Sequence, residues 1–200
     1  MRWGQRTLHR CGKRMAAVSE SARLHGQLEI ALAIVYYFDS LQSMRVSKRG
    51  EYGLRSLINL GIAQEIGRPL VQIRELAKME NIPIKFLEAI LLDLNKAGYL
   101  GSKRGKGGGY FMKKPMNKIK IGDVVRLIDG PLAPIACASV TAYAPCSCPD
   151  EAHCGLRLLM VDVRNAIAGI LDKYTLADTV EVTLRKMRRD KTPLPFAEVK

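Results

Sequence analysis

The chain has 200 residues, enough for one domain, or a small domain with an extension, to bury a core without disulfides. Apolar residues make up 48% and charged residues 26%, which excludes global disorder, a collagen and a coiled-coil rod; no apolar run reaches the ~18 residues of a membrane span. Lys and Arg number 32 against 19 Asp and Glu, a net charge of +13, so the surface seeks polyanions: nucleic acid, an anionic membrane or an acidic protein.

The charge is unevenly placed. Residues 44–130 hold seventeen basic and eight acidic side chains, whereas 131–200 hold nine and eight. From Tyr99 to Lys120 there are seven Lys and Arg and no acid. Such a block is ordinarily a solvated or disordered face; here it surrounds a Gly-rich turn between extended residues, which favours a binding use.

Residues 1–43 differ from the rest. Arg2, Arg6, Arg10, Lys13 and Arg14 precede an apolar run from Ile30 to Phe38. The run starts late and is followed by Asp39 and Gln42 rather than small residues, so a secretory signal is disfavoured and a cytoplasmic setting is expected. Met44 reads as the natural start, with 1–43 an upstream translation or a poorly ordered extension.

Lys48 to Gln64 has helical period, with Tyr52, Leu57, Ile58 and Leu60 as core candidates. A short second helix spans Ile73 to Met79, with Ile73, Leu76 and Ala77 on one face. Asn81-Ile-Pro83 breaks it, and a third helix runs from about Pro83 to Ala97. Leu87, Ile90, Leu91 and Leu94 line its inner face; Lys85, Glu88, Ala89, Asp93 and Lys96 face outward, and Gly98 stops it. A tight turn between the second and third helices predicts a helix-turn-helix, whose third helix enters the major groove.

Tyr99 to Met112 then reads as a hairpin with a Gly-rich tip. A phosphate-binding loop is the competing use of such sequence, but strand leads here to strand and no Gly-Lys-Ser/Thr occurs. The preferred reading is a wing: Arg104 reaches the minor groove, and Lys103 and Lys106 contact phosphate. Glu88 costs phosphate affinity on the reading helix. It is either tolerated as a helix-surface charge or accepts from a cytosine amine.

Four of the five cysteines, Cys137, Cys146, Cys148 and Cys154, fall within eighteen residues, spaced C-x8-C-x-C-x5-C in a loop with Pro134, Pro145 and Pro149. Structural disulfides are disfavoured in a reducing compartment. Zinc prefers C-x2–4-C pairs, which are lacking. An iron–sulfur cluster tolerates an irregular loop and needs three or four thiolates, so it is the favoured reading; zinc through the less usual C-x-C pair, a thiol–disulfide switch and incidental thiols stay open. His153 is a further candidate ligand or a solvated loop residue.

Gly155 to Tyr174 is the longest helix, with a near-heptad stripe through Leu156, Leu159, Met160, Val163, Ile167, Ile170, Leu171 and Tyr174. It is expected to be a dimer seam, and dimers match palindromic operators. Thr175-Leu-Ala-Asp178 is a capping-box-like start for a last helix with a basic end from Arg185 to Arg189. The tail with Pro193 and Pro195 is expected to be disordered.

Several motifs together carry a resemblance: Met44-Arg-Val-Ser with Gly50-Glu-Tyr52, Phe86-Leu-Glu88, Arg104-Gly-Lys-Gly-Gly-Gly-Tyr110 and the downstream cysteines. Met44 to about Asp190 resembles the IscR/NsrR/CymR family of bacterial winged-helix transcription regulators. In its cluster-binding members three cysteines hold the cluster, with five residues between neighbours. Cys148 and Cys154 keep that spacing, and Cys137 lies at the family's distance from Tyr110, but the loop between Cys137 and Cys148 is longer and holds the extra Cys146. IscR has a histidine three residues after its last cysteine, where this chain has Arg157. Glu88 matches the acidic residue that, in IscR, tunes which DNA site is read according to cluster state.

The expected molecule is mainly α with a small β-hairpin wing. Its divisions are an extension (1–43), a winged helix-turn-helix domain (44–130), a cysteine-rich sensor loop (131–154), a dimerisation and a C-terminal helix (155–190) and a tail (191–200). Its expected function is a homodimeric repressor, not an enzyme, on a palindromic duplex operator, switched by a 2Fe-2S or 4Fe-4S cluster or by cysteine redox state. DNA contacts are assigned to Lys85, Phe86, Glu88, Ser102, Lys103, Arg104, Lys106, Gly107 and Gly108, and cluster ligation to Cys137, Cys146, Cys148 and Cys154. The alternatives are a metal-free member sensing a small molecule or partner protein, or a zinc- or cluster-dependent enzyme.

Overall fold

A computed structural model describes residues 46–196; the extension at 1–43 lies outside them. Six α-helices and one hairpin follow in order: α1 (Lys48–Glu65), α2 (Ile73–Glu80), α3 (Ile84–Lys96), β1 (Leu100–Lys103), β2 (Gly109–Met112), α4 (Ile121–Asp129), α5 (Gly155–Lys173) and α6 (Leu176–Arg189). Short 3-10 turns lie at Met116–Lys118 and Ala136–Ala138. Among the described residues no helix is long and apolar enough to cross a membrane.

Local chemistry sets the boundaries. Ser47 caps α1 by accepting from Gly50 N–H at 3.0 Å. Asn81 ends α2 in the left-handed region, φ 53°, and its N–H returns to carbonyls of the last turn. Gly98, φ 80°, follows α3. Thr175 and Asp178 form the expected capping box at α6.

Burial places α1 at the centre. Leu57 and Leu60 are fully buried with Leu76, Leu87, Ile90, Leu91 and Leu94 of the next two helices. From the other side come Val124 of α4 and Leu176, Val180 and Leu184 of α6. Two features go beyond the sequence reading. Helix α4, unassigned there, packs along α1. Helix α6 shares the core of the winged domain, so packing does not separate 155–190 as a unit. The tail also departs from expectation: Leu194 and Phe196 pack against the core, and Arg68 lies 5.6 Å over the Phe196 ring.

Helix α5 is different. It contributes no buried residue, and Leu156, Leu159 and Ile170 stay 57, 56 and 61% exposed. Polar contacts hold its C-terminal end. Arg126 of α4 donates to Asp172 at 2.6 Å, and Ile121 N–H donates to Tyr174 O at 3.0 Å.

The Ser56 hydroxyl is fully buried in α1 with no hydrogen-bond partner among the described residues. An unmade bond of this kind costs about 1–3 kcal/mol. Ser56→Ala is therefore expected to raise the unfolding free energy by about 1 kcal/mol, read as a higher urea midpoint at constant slope.

Candidate nucleic-acid interface and cysteine loop

The outer face of α3 begins at Ile84. Lys85, Phe86 and Glu88 are all exposed. Phe86 stands edge-on to Tyr52 of α1, with ring centroids 5.9 Å apart. Lys48 and Arg55 flank the same Tyr52 ring at 5.9 and 5.5 Å, which brings two α1 cations beside the reading helix. The sequence reading missed them, because they converge with Phe86 only when α1 and α3 pack. Arg49 of α1 is also ion-paired to Asp93 of α3, and Arg55 donates to Glu80 of α2 at 2.5 Å. These bonds fix the angle at which α3 is presented.

The wing is antiparallel, with Leu100 opposite Met112 and Lys103 opposite Gly109. Ser102, Lys103, Arg104, Lys106 and Gly107 are exposed and Gly108 is half-buried. Val71, just before α2, pairs with Tyr110 through bonds of 3.0 and 2.9 Å. This third short rung joins the wing to the helix-turn-helix. A Cβ at Gly109 would press into the Val71 carbonyl and the Gln72 amide, so that rung requires glycine. Burial raises the Tyr110 hydroxyl pKa, and the Glu88 charge adds to the effect; Glu88 and the wing tyrosine therefore share one surface.

The cysteine loop lies at the start of α5. Cys137 is buried in a 3-10 turn, Cys146 is half-buried, Cys148 is exposed, and Cys154 is the N-terminal cap of α5. Cys148 Sγ is 3.8 Å from Cys154 Sγ. Thiol hydrogen bonds to Cys146 and then Cys154 push Cys148 up to about 12. Cys154 moves the opposite way, lowered first by the Arg157 backbone N–H at the helix start and then by Cys148. Burial and then the neighbouring Cys146 raise Cys137. The four thiols therefore adjoin in pairs, although no three His, Cys, Asp or Glu groups among the described residues stand as a preformed metal set. His153 points elsewhere, its Nδ1 2.7 Å from Asp150.

Glu151 is the residue the spacing did not reveal. Its carboxylate is 3.7 Å from Cys146 Sγ, accepts from Tyr143 at 2.8 Å and pairs with Arg157 at 3.2 Å. Arg157, where IscR has histidine, also donates to Cys137 O at 3.1 Å. Arg164 donates to Ala138 O. Helix α5 thus grips the backbone of the turn that carries Cys137.

Residues 46–182 match the Rrf2 family model, described as an iron-dependent transcriptional regulator. The chain belongs to the Rrf2 family. An rrf2-like protein of Rhodobacter capsulatus is 41% identical over 137 residues, covering 66% of this chain and 90% of that one. The structure of CymR, the global cysteine regulator of B. subtilis, superposes with a TM-score of 0.57 at 28% identity over 69% of this chain and 97% of that one. T. potens IscR gives 0.53 at 26% identity over 70% and 88%. This Rrf2 protein is accordingly a DNA-binding transcription regulator of the helix-turn-helix type, not an enzyme.

Gly109→Ala is expected to break the Val71–Tyr110 rung. It should lower stability by about 1–3 kcal/mol, as overpacking does, and weaken duplex binding, read by urea unfolding and fluorescence anisotropy on the same preparation.

Proposed function

We propose that this Rrf2 protein is a homodimeric repressor of a palindromic operator, and that its cysteine loop switches DNA binding through an iron–sulfur cluster. The carrying observation is the position of the thiols: they gather at the N-terminus of α5, the helix whose apolar stripe is left exposed in the single chain. An apolar face of that extent favours a second copy. A seam between two α5 helices sets the spacing of the two reading heads.

On DNA, Lys85, Phe86 and Glu88 would meet base edges in the major groove and Arg104 would enter the minor groove. Ser102, Lys103, Lys106 and the amides of Gly107 and Gly108 would hold phosphate. In the loop, Cys137, Cys148 and Cys154 suit three thiolate ligands, with Cys146 or the Glu151 carboxylate as a fourth donor. The family description supports iron. When bound, such a cluster supplies a centre sensitive to iron supply, oxidation and nitric oxide. The protein's part is mechanical: Arg157 and Arg164 hold the Cys137 turn to α5, so a change in the loop is felt at the seam.

A second reading is favoured by one distance, the 3.8 Å between Cys148 and Cys154 sulfurs. These thiols could form a disulfide, giving up two electrons and two protons to a peroxide that is reduced to water.

Protein purified without oxygen is expected to be brown, to contain iron and sulfide, and to lose its visible bands on Cys148→Ala. The Cys148→Ala/Cys154→Ala pair should change affinity for an operator selected from random duplexes. Equal affinity would sink the cysteine switch in either form. A colourless protein that loses two thiols to hydrogen peroxide would move the switch to the disulfide.

Leu159→Glu/Ile170→Glu buries two charges in the proposed seam. It is expected to give monomers by sedimentation and to weaken operator binding, with the far-ultraviolet spectrum unchanged.

A further inference from the structure

Beyond the wing cations Lys103, Arg104 and Lys106, the same acid-free stretch continues through Lys113, Lys114, Lys118 and Lys120. Lys113, Lys118 and Lys120 are exposed. Lys114 lies 5.1 Å over the Tyr99 ring, a placement that leaves a charged tip on a packed stem.

The fold then carries this line onto another element. The 3-10 turn Met116–Lys118 packs on α6. Met116 lines a shallow depression of about 440 Å³ together with Val180, Leu184, Arg185, Arg188 and two acids, Glu65 and Glu181. Burial of Leu176, Val180 and Leu184 fixes the roll of α6, which leaves Arg185, Lys186, Arg188, Arg189 and Lys191 exposed at its end. A helix C-terminus favours cations, but five in seven residues exceed what one helix end requires. Arg185 and Arg189 pair with Glu181 and Asp190. Among the described residues no carboxylate is paired with Lys186, Arg188 or Lys191.

The 3-10 turn that follows the wing therefore meets the end of α6, and their cations make one basic strip from residues far apart in sequence.

We propose that this strip is a second DNA contact, in which Lys113, Lys118, Arg185 and Arg188 follow the phosphates of duplex flanking the operator. The occupant is duplex DNA because the strip continues the wing, whose own partner is DNA, and because its cations form a line rather than a pocket. It adds length and affinity to the footprint without reading bases. The inference rests on the wing reading.

The test uses Lys118→Ala/Arg185→Ala/Arg188→Ala in the full chain. The selected operator is prepared as a duplex trimmed to its protected core and as one extended on both sides. For the extended duplex, the slope of log K against log salt should become shallower by about 0.9 for each phosphate the variant no longer neutralises. The trimmed duplex should show the wild-type slope, and the melting midpoint should match wild type. An unchanged slope on the extended duplex, or an equal change on both duplexes, overturns the strip. Arg104→Ala separates the two ideas: it should weaken both duplexes, and if it weakens neither, the wing reading fails instead.

Discussion

Everything in this molecule depends on how closely other helices can approach α1. That helix is wrapped on nearly every side, and it meets its neighbours through small residues. A Cβ at Gly53 would run into Ile128 of α4, and one at Gly61 into Val180 of α6 and Met116. Close approach maximises dispersion contacts and leaves no room for water. It also aligns three functional elements: α3 on one flank, the wing through β2, and α6 on the opposite flank. The unpartnered Ser56 hydroxyl lies in the same helix. Its small volume suits the tight packing, while its hydroxyl adds a local cost.

The second structural theme is a series of contacts, polar except for the last, from the cysteine loop to the reading helix. Arg157 and Arg164 of α5 hold the carbonyls of Cys137 and Ala138. Asp172, at the other end of α5, is held by Arg126 of α4. Asp129 closes α4 against the start of α1, accepting from Ser47 N–H at 2.8 Å. One turn further along α1, Tyr52 packs on Phe86. Each link is a direct contact between neighbouring elements. This is the kind of physical path by which a local change can bias a distant geometry.

Much of the DNA-binding head was legible in the sequence because its signals are local. Helical period, Asn81, Gly98 and the Gly-rich hairpin each act within a few residues. Lys85, Phe86 and Glu88 accordingly stand exposed on α3, and Ser102, Lys103, Arg104, Lys106, Gly107 and Gly108 lie on the hairpin. Helix α4 escaped notice because Ile121–Asp129 is short and follows a lysine-rich stretch. The ordering of Leu194 and Phe196 was equally hidden. Proline content argued for a loose tail, whereas contact with the core and with Arg68 outweighs the entropy of the tail. Glu151 could not be singled out among nineteen acids until the loop brought it beside Cys146.

The sequence alone determined five of the six described helices and the hairpin, their order, the basic head and the presence of four thiols in an irregular loop, since periodicity, capping, composition and spacing are written residue by residue. Tertiary structure decided the rest. It put α6 into the core of the winged domain and left the stripe of α5 exposed. It set Lys48 and Arg55 around Tyr52, paired Cys148 with Cys154 at the start of α5, and packed the 3-10 turn after the wing on α6. The reason is the same in each case. These are relations between surfaces that meet only after distant apolar faces are buried together, and one-dimensional patterns carry no distance across the fold.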